Sequence, residues 1–210
     1  IHRMPPEDWV IKSATVSMNN SGQYFVSVLF AYEQEPTPYI PMPNKGRAIG
    51  LDYSSPDFYV DSDGNDAGVP HFYRTMEAKL AREQRRLSKM TKGSNNYAKQ
   101  KIKVDKLHRK IANQRKDFCH KLSRKIANSY DAVCVEDIDL RAMSRSLNLG
   151  KSTMDNGFGM FRVFLQYKLE RQGKYFVVVD RWFPSSKTCN HCGYINRELQ
   201  LSDRVWVCPH

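Results

Sequence analysis

The sequence contains no long apolar run. No stretch approaches the roughly 18 consecutive apolar residues that a membrane-spanning helix needs, so a membrane protein is not expected. The first residues, Ile1 to Pro5, also lack the apolar core of a secretory signal peptide. A start at Ile rather than Met suggests an excised fragment or a processed terminus.

Cysteine is sparse, and its odd count argues against a disulfide framework. The chain has five cysteines among 210 residues. Cys119 and Cys134 stand in apolar patterns and are expected to be buried thiols. Cys189, Cys192 and Cys208 instead cluster near the end of the sequence. This distribution favours a reducing compartment and a metal site over disulfides.

Acidic residues are scarce in one segment. Residues 74–125 contain 18 Lys and Arg but only 4 Asp and Glu. The rest of the chain contains 15 Lys and Arg and 18 Asp and Glu. The formal net charge of +11 therefore comes from this segment alone. A solvated helical face is the simpler explanation, but such an imbalance repels itself unless an anion compensates it. We therefore expect a nucleic-acid partner.

The N-terminal part of the chain is predicted to be a β-hairpin followed by a linker. Alternate apolar residues line one strand face within residues 10–32, and residues 19–22 supply a turn. Four prolines between positions 36 and 43 indicate an extended linker. We therefore separate residues 1–35 from a linker at residues 36–46.

Residues 47–182 are predicted to form an α/β unit. Short apolar strands are predicted near residues 48–52, 58–60, 132–135 and 176–179, with a weaker strand near residues 69–73. Helices are predicted at residues 75–92, 97–129 and 158–172. Strands that alternate with helices predict a largely covered sheet, with a basic helical hairpin inserted at residues 74–129 and a polar loop at residues 141–156.

The candidate nucleic-acid contacts are mostly cations on the two long helices. Backbone phosphates attract Lys and Arg without regard to base sequence. Two hydroxyl residues beside the first cysteine pair join this set. The predicted contacts are Lys79, Arg82, Arg85, Arg86, Lys99, Lys103, Arg109, Lys110, Arg115, Lys116, Ser185 and Ser186.

Two acidic residues each end a short apolar strand. Asp52 follows Ala48–Leu51, and Glu136 follows Ala132–Val135. An unpaired buried carboxylate is costly, so each acid either lies at a solvated strand end or converges with the other on a cation. Hard oxygen ligands suit Mg²⁺ or Mn²⁺, and a pair of such ions can support phosphodiester cleavage. Asp137 and Asp139 are weaker alternatives, since Asp137 would point to the opposite strand face from Glu136.

The C-terminal cysteines have the spacing of a zinc ribbon. Cys189 and Cys192 stand two residues apart and Gly193 permits a tight turn, which is typical of a zinc knuckle. Fifteen residues separate Cys192 from Cys208, where a second knuckle is expected to begin. A closed Zn²⁺ site needs a fourth ligand, for which His210 is a poorly spaced candidate. His191 lies inside the first knuckle and is not expected to bind metal.

Three blocks of the sequence resemble a known family. They are residues 49–52 with residues 62–64, residues 135–138 with Leu140 and Met143, and residues 183–193 with Cys208 and Pro209. Together they resemble TnpB, the OrfB protein of IS200/IS605-type transposons, which is related to compact Cas12f-type CRISPR effectors. The similarity extends over nearly the whole chain, and the third block is the most specific.

The resemblance implies an RNA-guided DNA endonuclease with an RNase H-like (RuvC) sheet at residues 47–182. Asp52 and Glu136 fall on its first two catalytic carboxylates, and Cys189, Cys192 and Cys208 fall on zinc ligands. Residues 1–35 would be the end of a WED-like, RNA-binding β-barrel. Residues 183–210 would be a partial zinc ribbon that binds target nucleic acid. A guide RNA and a target DNA are the implied partners, in the cytoplasm and at the prokaryotic nucleoid.

The sequence departs from the family pattern in ways that keep alternatives open. Tyr53 and Ser54 follow Asp52 where the family usually has a glycine, and the sequence ends before the third RuvC aspartate and the fourth zinc cysteine of the family pattern. This chain alone is therefore expected to be inactive. A nuclease-inactive guided DNA-binding protein, a Cas12f-like effector and a transposase remain alternatives.

Overall fold

The structure is a computed structural model, and it describes residues 5–19, 22–33, 35, 37–41, 47–68, 71–140, 142, 157–200, 202–203 and 205–210. Within these residues the chain is mixed α/β, with six strands and three α-helices. The strands are β1 (Val10–Met18), β2 (Tyr24–Ala31), β3 (Ala48–Ser54), β4 (Phe58–Asp61), β5 (Ala132–Glu136) and β6 (Tyr175–Val179). The helices are α1 (Phe72–Ser88), α2 (Asn95–Ser129) and α3 (Phe158–Glu170).

The predicted N-terminal hairpin is confirmed. Strands β1 and β2 pair antiparallel, with Val10 opposite Ala31 and Met18 opposite Tyr24. Almost every residue of the two strands is exposed, on both faces of the ribbon. A two-stranded ribbon of this kind buries too little apolar surface to be stable by itself.

A four-stranded sheet forms the centre of the molecule. Its strand order is β4-β3-β5-β6, with β3 and β4 antiparallel and the β3–β5 and β5–β6 pairs parallel. Parallel neighbours need long crossover connections. Helices α1 and α2 lie in the connection from β3 to β5, and α3 lies in the connection from β5 to β6. The predicted basic helical insertion therefore lies in the chain between β3, which carries Asp52, and β5, which carries Glu136, although the two strands are neighbours in the sheet.

The two faces of the sheet differ in burial. Ile49, Leu51, Val133 and Val135 join α2 and α3 in the main apolar core. The alternate residues of β3 and β5 point to the other face, as the strand period requires. On that face, Gly50 and Asp52 of β3 and Cys134 and Glu136 of β5 line a pocket. The expectation of a largely covered sheet is therefore wrong for the described residues, because their helices pack on one face.

The helical hairpin is confirmed with shifted ends. Helix α1 begins at Phe72 rather than at residue 75, and α2 begins at Asn95, where the Ser94 hydroxyl accepts a hydrogen bond from the Tyr97 N–H at 3.1 Å. A buried seam of Leu80, Val104 and Ile111 joins the two helices. The weak strand predicted near residues 69–73 is wrong from residue 71 onward, because the chain there is already entering α1.

Part of the predicted linker packs against the end of α3. The Ile40 N–H donates to the Gly173 carbonyl at 2.9 Å, and the Tyr175 hydroxyl donates to the Ile40 carbonyl at 2.8 Å. The rings of Tyr39 and Tyr175 lie 5.3 Å apart. Of the predicted 141–156 loop, the structure describes residue 142 alone.

Candidate functional site

The structure brings Asp52 and Glu136 to one pocket. Strands β3 and β5 are parallel and in register, with Leu51 opposite Val135, so the next residue on each strand is one of the two acids. Both line a pocket of about 390 Å³ together with residues that follow β6. The carboxyl ends of parallel strands are a common position for binding sites. The prediction that the two acids meet at one sheet edge agrees with this geometry.

The pocket concentrates negative charge. Burial raises the pKa of Asp52, and the nearby Glu136 carboxylate raises it further. The backbone N–H of Tyr53 opposes this shift by stabilising the charged form. A bound cation would favour both carboxylates in their ionised forms, so the site has the electrostatics of a cation site.

The neighbouring polar groups leave two carboxylates available. The Ser185 hydroxyl donates to Oε1 of Glu136 at 3.3 Å. Asp61 also lines the pocket, but its Oδ1 accepts from the Asp63 and Asn65 N–H groups at 3.0 and 2.8 Å, which closes the turn after β4. Among the described residues, no third acidic, His or Cys side chain groups with Asp52 and Glu136.

The alternative acids have other partners. Oδ2 of Asp137 accepts from Nη2 and Nε of Arg181 at 2.7 and 3.2 Å. Oδ1 of Asp139 accepts from the Ala142 N–H at 2.9 Å. The first interaction ties the segment after β5 to the segment after β6, so Asp137 positions the loop that carries Ser185.

Three cysteines form a second candidate metal site. The sulfur atoms of Cys189, Cys192 and Cys208 all lie within 4.8 Å of one another, and the Cys192 and Cys208 sulfurs are 3.5 Å apart. Thiolates on one tetrahedral zinc ion lie roughly 3.8 Å apart, given a Zn–S distance of about 2.3 Å. The three sulfurs therefore fit a shared Zn²⁺. Within the described part of the chain, neither His191 nor His210 joins this group.

The first cysteine pair lies in a tight knuckle. The Gly193 N–H donates to the Cys189 carbonyl at 2.9 Å, and the Cys189 N–H donates to the Tyr194 carbonyl at 2.8 Å. Backbone N–H groups of Cys192 and His191 point at the Cys189 sulfur and lower its pKa to about 7. Gly193 has φ of +76°, a conformation that glycine adopts readily. The knuckle therefore favours the thiolate form of Cys189, which is the form of cysteine that binds metal ions.

The candidate nucleic-acid residues lie on the helical hairpin and beside the knuckle. Most of the basic side chains are exposed, and Arg109 and Arg115 are half-buried. Arg82 and Arg86 lie within 3.3 and 3.6 Å of the Glu83 carboxylate, and Arg109 donates to the Gln23 side chain in the hairpin. Ser186 accepts a hydrogen bond at its carbonyl from the Trp206 ring N–H at 3.2 Å. The other predicted contacts are exposed at Lys79, Arg85, Lys99, Lys103, Lys110, Lys116 and Ser185.

Sequence reasoning missed several residues around the carboxylates. Phe183 and Ser62 line the pocket, and the Ser62 N–H donates to the carbonyl of Gly50 on β3 at 3.0 Å. Arg181 escaped notice because its partner Asp137 is far away in the chain. Phe183 and Ser185 lie in the most specific sequence block, which is the signal that could have placed them near Glu136.

Two family models match the chain. The model OrfB_IS605, described as "Probable transposase", matches residues 29–147, more than half of the sequence. A model described as "Cas12f1-like, TNB domain" matches residues 158–210. The two matches together include both candidate acids and all three clustered cysteines.

Two curated relatives agree with these matches. A Streptomyces pristinaespiralis protein named "Putative RNA-guided DNA endonuclease" is 36% identical over 97% of this chain and 49% of its own length. The Escherichia coli K12 protein named "Putative RNA-guided DNA endonuclease InsQ" is 30% identical over 95% of this chain and 52% of its own length. The chain thus spans about half the length of these relatives.

The fold resembles a cryo-EM structure of a Cas12f1–sgRNA–target DNA complex. The TM-score is 0.56 at 16% identity, over 92% of this chain and 40% of the solved chain. At this identity the likeness concerns the fold alone. Because the OrfB_IS605 model matches more than half of the residues, the chain belongs to the OrfB/IS605 family, and the resemblance to TnpB is confirmed.

Proposed function

We propose that the complete product of the gene encoding this chain is an RNA-guided DNA endonuclease of the TnpB type. The observation that carries the proposal is the meeting of Asp52 and Glu136 in one pocket on the open face of the sheet. The names of the curated relatives support the choice of reaction. Residues 47–182 then form an RNase H-like (RuvC) nuclease unit, with the basic helical insertion at residues 74–129.

Asp52 and Glu136 would hold Mg²⁺ or Mn²⁺. Their carboxylate oxygens are the ligands that hard divalent cations prefer, and the raised pKa of Asp52 reflects burial together with like charge that a cation would offset. Bound divalent ions supply activation of a water nucleophile and stabilisation of the leaving oxygen in phosphodiester hydrolysis.

The protein side chains position the reacting groups. Ser185 orients the Glu136 carboxylate through its hydroxyl, 3.3 Å from Oε1. Arg181 holds the loop through Asp137 at 2.7 Å, which fixes the distance between β5 and the segment after β6. Phe183 lines the same pocket and supplies an apolar wall on one side of it. The Ser185 contact restricts the Glu136 carboxylate, and Asp52 is positioned by its place on β3 beside Glu136, so a phosphodiester held by both acids would meet a partly ordered site.

The three cysteines would hold a structural Zn²⁺ in a partial zinc ribbon. Residues 183–210 bury little apolar surface, since Val205 and Val207 are 86% and 89% exposed. Small units of this kind draw their folding free energy from the metal. We infer that this ribbon binds target nucleic acid through Ser185, Ser186 and neighbouring residues.

The remaining regions would serve guide and target binding. Residues 1–35 belong to an RNA-binding β-barrel, and the basic helices contact the backbone of the guide–target duplex. Residues 36–46 connect the two units. No described helix is long and apolar enough to cross a membrane. Action on DNA would keep the protein in the cytoplasm and at the nucleoid.

The proposal is tested by Asp52→Ala in the complete gene product. We expect loss of guided DNA cleavage in the presence of Mg²⁺, while binding of the guide RNA is retained. The control is Asp63→Ala, which removes an exposed acid from the turn after β4. Cleavage that persists in Asp52→Ala would reject the carboxylate mechanism. This chain alone is expected to be inactive.

A nuclease-inactive guided DNA-binding protein is the second candidate. It is favoured because, among the described residues, Asp52 and Glu136 have no third acidic side chain grouped with them, whereas the nuclease family pattern has three catalytic carboxylates. The complete gene product would then bind guided target DNA without cutting it, even with Mg²⁺ or Mn²⁺.

A transposase is the third candidate. It is favoured by the description of the matching family model. Strand transfer with transposon ends would separate it from an endonuclease. A Cas12f-like effector would instead be distinguished by a CRISPR repeat array beside its gene.

A further inference from the structure

A basic pocket lies between α2 and α3, apart from the two acids. It has a volume of about 500 Å³ and is lined by His120, Lys121, Arg124, Lys125, Tyr167 and Lys168. Helices α2 and α3 cover the face of the sheet opposite to Asp52 and Glu136. Among the residues that the structure describes, none lines both pockets, and no carboxylate lines the basic one.

Lys168 is a buried cation whose bonding partners are neutral. Only 3% of the Lys168 residue is exposed to solvent. The ammonium donates to the His120 carbonyl at 2.8 Å and to the Ser123 hydroxyl at 2.5 Å, and it lies 5.7 Å from the centre of the Phe164 ring. Within the described part of the chain, no carboxylate forms an ion pair with it. Burying a charge without an opposite charge is unfavourable, so a nearby anion would stabilise this arrangement.

The surrounding groups add to the positive field. Arg124 and Lys125 are exposed, and neither has a carboxylate partner among the residues that the structure describes. Lys121 differs, because it pairs with Asp117 at 2.7 Å. The His120 ring stacks on Phe164 with centroids 3.8 Å apart, and its pKa is lowered first by burial and then by Lys168. Several cationic groups therefore meet here, and Asp117, the acid that acts on His120 among the described residues, is already paired with Lys121.

We propose that this pocket binds a phosphate group of a nucleic-acid backbone, independently of base sequence. Arg124 offers a guanidinium fork that matches phosphate oxygens, and Lys125 adds a second exposed charge beside it. The basic surface continues along α2, as an extended polyanion requires. The choice of nucleic acid as the phosphate source rests on the proposed function, whereas the pocket's need for an anion does not.

The test compares two double variants of the whole chain. Arg124→Gln with Lys125→Gln removes two charges from the pocket. Lys101→Gln with Lys106→Gln removes two exposed charges from the same helix, outside the pocket. All four residues are exposed, so both variants should fold. Affinity for a mixed-sequence DNA duplex is measured at several salt concentrations.

A second readout reports on the pocket itself. The pKa of His120 is followed by NMR with and without the duplex. Lys168 on α3 and Lys116 and Arg124 on α2 lower the pKa of His120, whereas Asp117 on α2 raises it. An anion in the pocket offsets the cationic neighbours and should raise this pKa. Binding elsewhere on the chain would leave it unchanged.

We expect the pocket variant to bind the duplex several-fold more weakly than the control variant. Because one phosphate contact is lost, the slope of log affinity against log salt should be shallower by about 1 than in the unmodified chain. Equal weakening in both variants would overturn the proposal, and so would a His120 pKa that the duplex does not move. No duplex binding by the unmodified chain at low salt would also overturn it. A rise caused by inorganic phosphate but not by the duplex would assign the pocket to a free anion instead.

Discussion

At the scale of single residues, Asp52 shows how a candidate functional site can oppose stability. Its raised pKa means that folding disfavours its charged form, because burial removes water and Glu136 adds like charge. The resulting cost to the folded state appears as pH rises through the unfolded-state pKa of about 3.9, and it remains at neutral pH. A site that bound no cation would carry this cost without compensation.

The first prediction concerns Asp52→Asn in a chelator. We expect the free energy of unfolding at pH 7 to rise by roughly 0.5 kcal/mol, a small value because the group is only partly desolvated. The gain should vanish below about pH 4, where the aspartate is protonated in both states. Urea unfolding at pH 7 and pH 3.5 checks this. Asp63→Asn is the control, and a destabilised Asp52→Asn would contradict the account.

Asp131 lies in the opposite electrostatic situation. Arg47 donates to its carboxylate through two nitrogen atoms, and Lys174 lies 3.3 Å away. The hydrogen bond from Arg47 is the largest cause that lowers the Asp131 pKa to about 2. These three residues stand where β3, β5 and β6 begin, at the far end of the strands from the carboxylate pocket.

The second prediction follows from the sign of that shift. A lowered pKa stabilises the folded state above the unfolded-state value of about 3.9, and this stability is lost as pH falls toward 2. Asp131→Asn should therefore be less stable than the unmodified chain at pH 6 and should lose less stability between pH 4 and pH 2. Urea unfolding across that range measures both effects. An unchanged pH dependence would show that Asp131 has no charged partner in solution.

At the scale of secondary-structure elements, Gly173 joins the linker segment to the end of α3. It has φ of +65°, and a β-carbon there would overlap the Pro38 carbonyl oxygen. Gly93, between α1 and α2, has φ of +87° and open space around it. The two glycines share a left-handed backbone and differ in their surroundings.

The third prediction uses this matched pair. Gly93→Ala should cost about 1 kcal/mol, because only the left-handed conformation is penalised. Gly173→Ala should cost at least about 1 kcal/mol more, because the linker segment must move away as well. Thermal and urea unfolding of both variants provide the comparison. Equal losses would mean that residues 37–41 are not packed against Gly173.

Pattern analysis succeeded best for elements with strong periodicity. The helical spacing of Val104, Leu107 and Ile111 predicted the long second helix, whose observed span is Asn95–Ser129. Short apolar runs likewise predicted β3, β5 and β6. The weak signal at residues 71–73 was misassigned to a strand, because local apolar content does not distinguish a strand from the first turn of a helix.

Contacts between distant elements could not be predicted in the same way. Nothing local to Lys168 indicates that α2 and α3 bury it against neutral groups. Phe58 adopts φ of +74° and is completely buried, although a left-handed turn position usually favours glycine or asparagine. Its ring packs against Phe118, Phe158 and Phe161, which compensates the local strain. Such positions depend on tertiary packing, which no sequence window contains.

At the scale of the whole molecule, the chain combines a sheet that has an apolar core with a C-terminal unit for which we propose a structural Zn²⁺. The main core includes residues of β3, β4, β5, α2 and α3. No residue among those described after position 182 is fully buried. The two regions should therefore respond differently to metal removal.

The fourth prediction is that zinc removal unfolds residues 183–210 and leaves the sheet intact. Limited proteolysis with and without a strong chelator should produce new cleavages after residue 182 alone. Cys189→Ser should reproduce this pattern without chelator, whereas Cys134→Ser, on β5, should not. Protease sites that open equally throughout the chain would contradict the idea of a separate metal-dependent unit.

The central claim is that Asp52 and Glu136 together hold a divalent ion. The most direct measurement is an anomalous-scattering map from a crystal of the chain soaked in Mn²⁺. We predict a peak in the pocket at about 2.1 Å from an oxygen of each carboxylate. The peak should be absent from Asp52→Asn crystals soaked in the same way. A pocket without manganese in the unmodified chain, under conditions where Mn²⁺ binds elsewhere, would contradict the account.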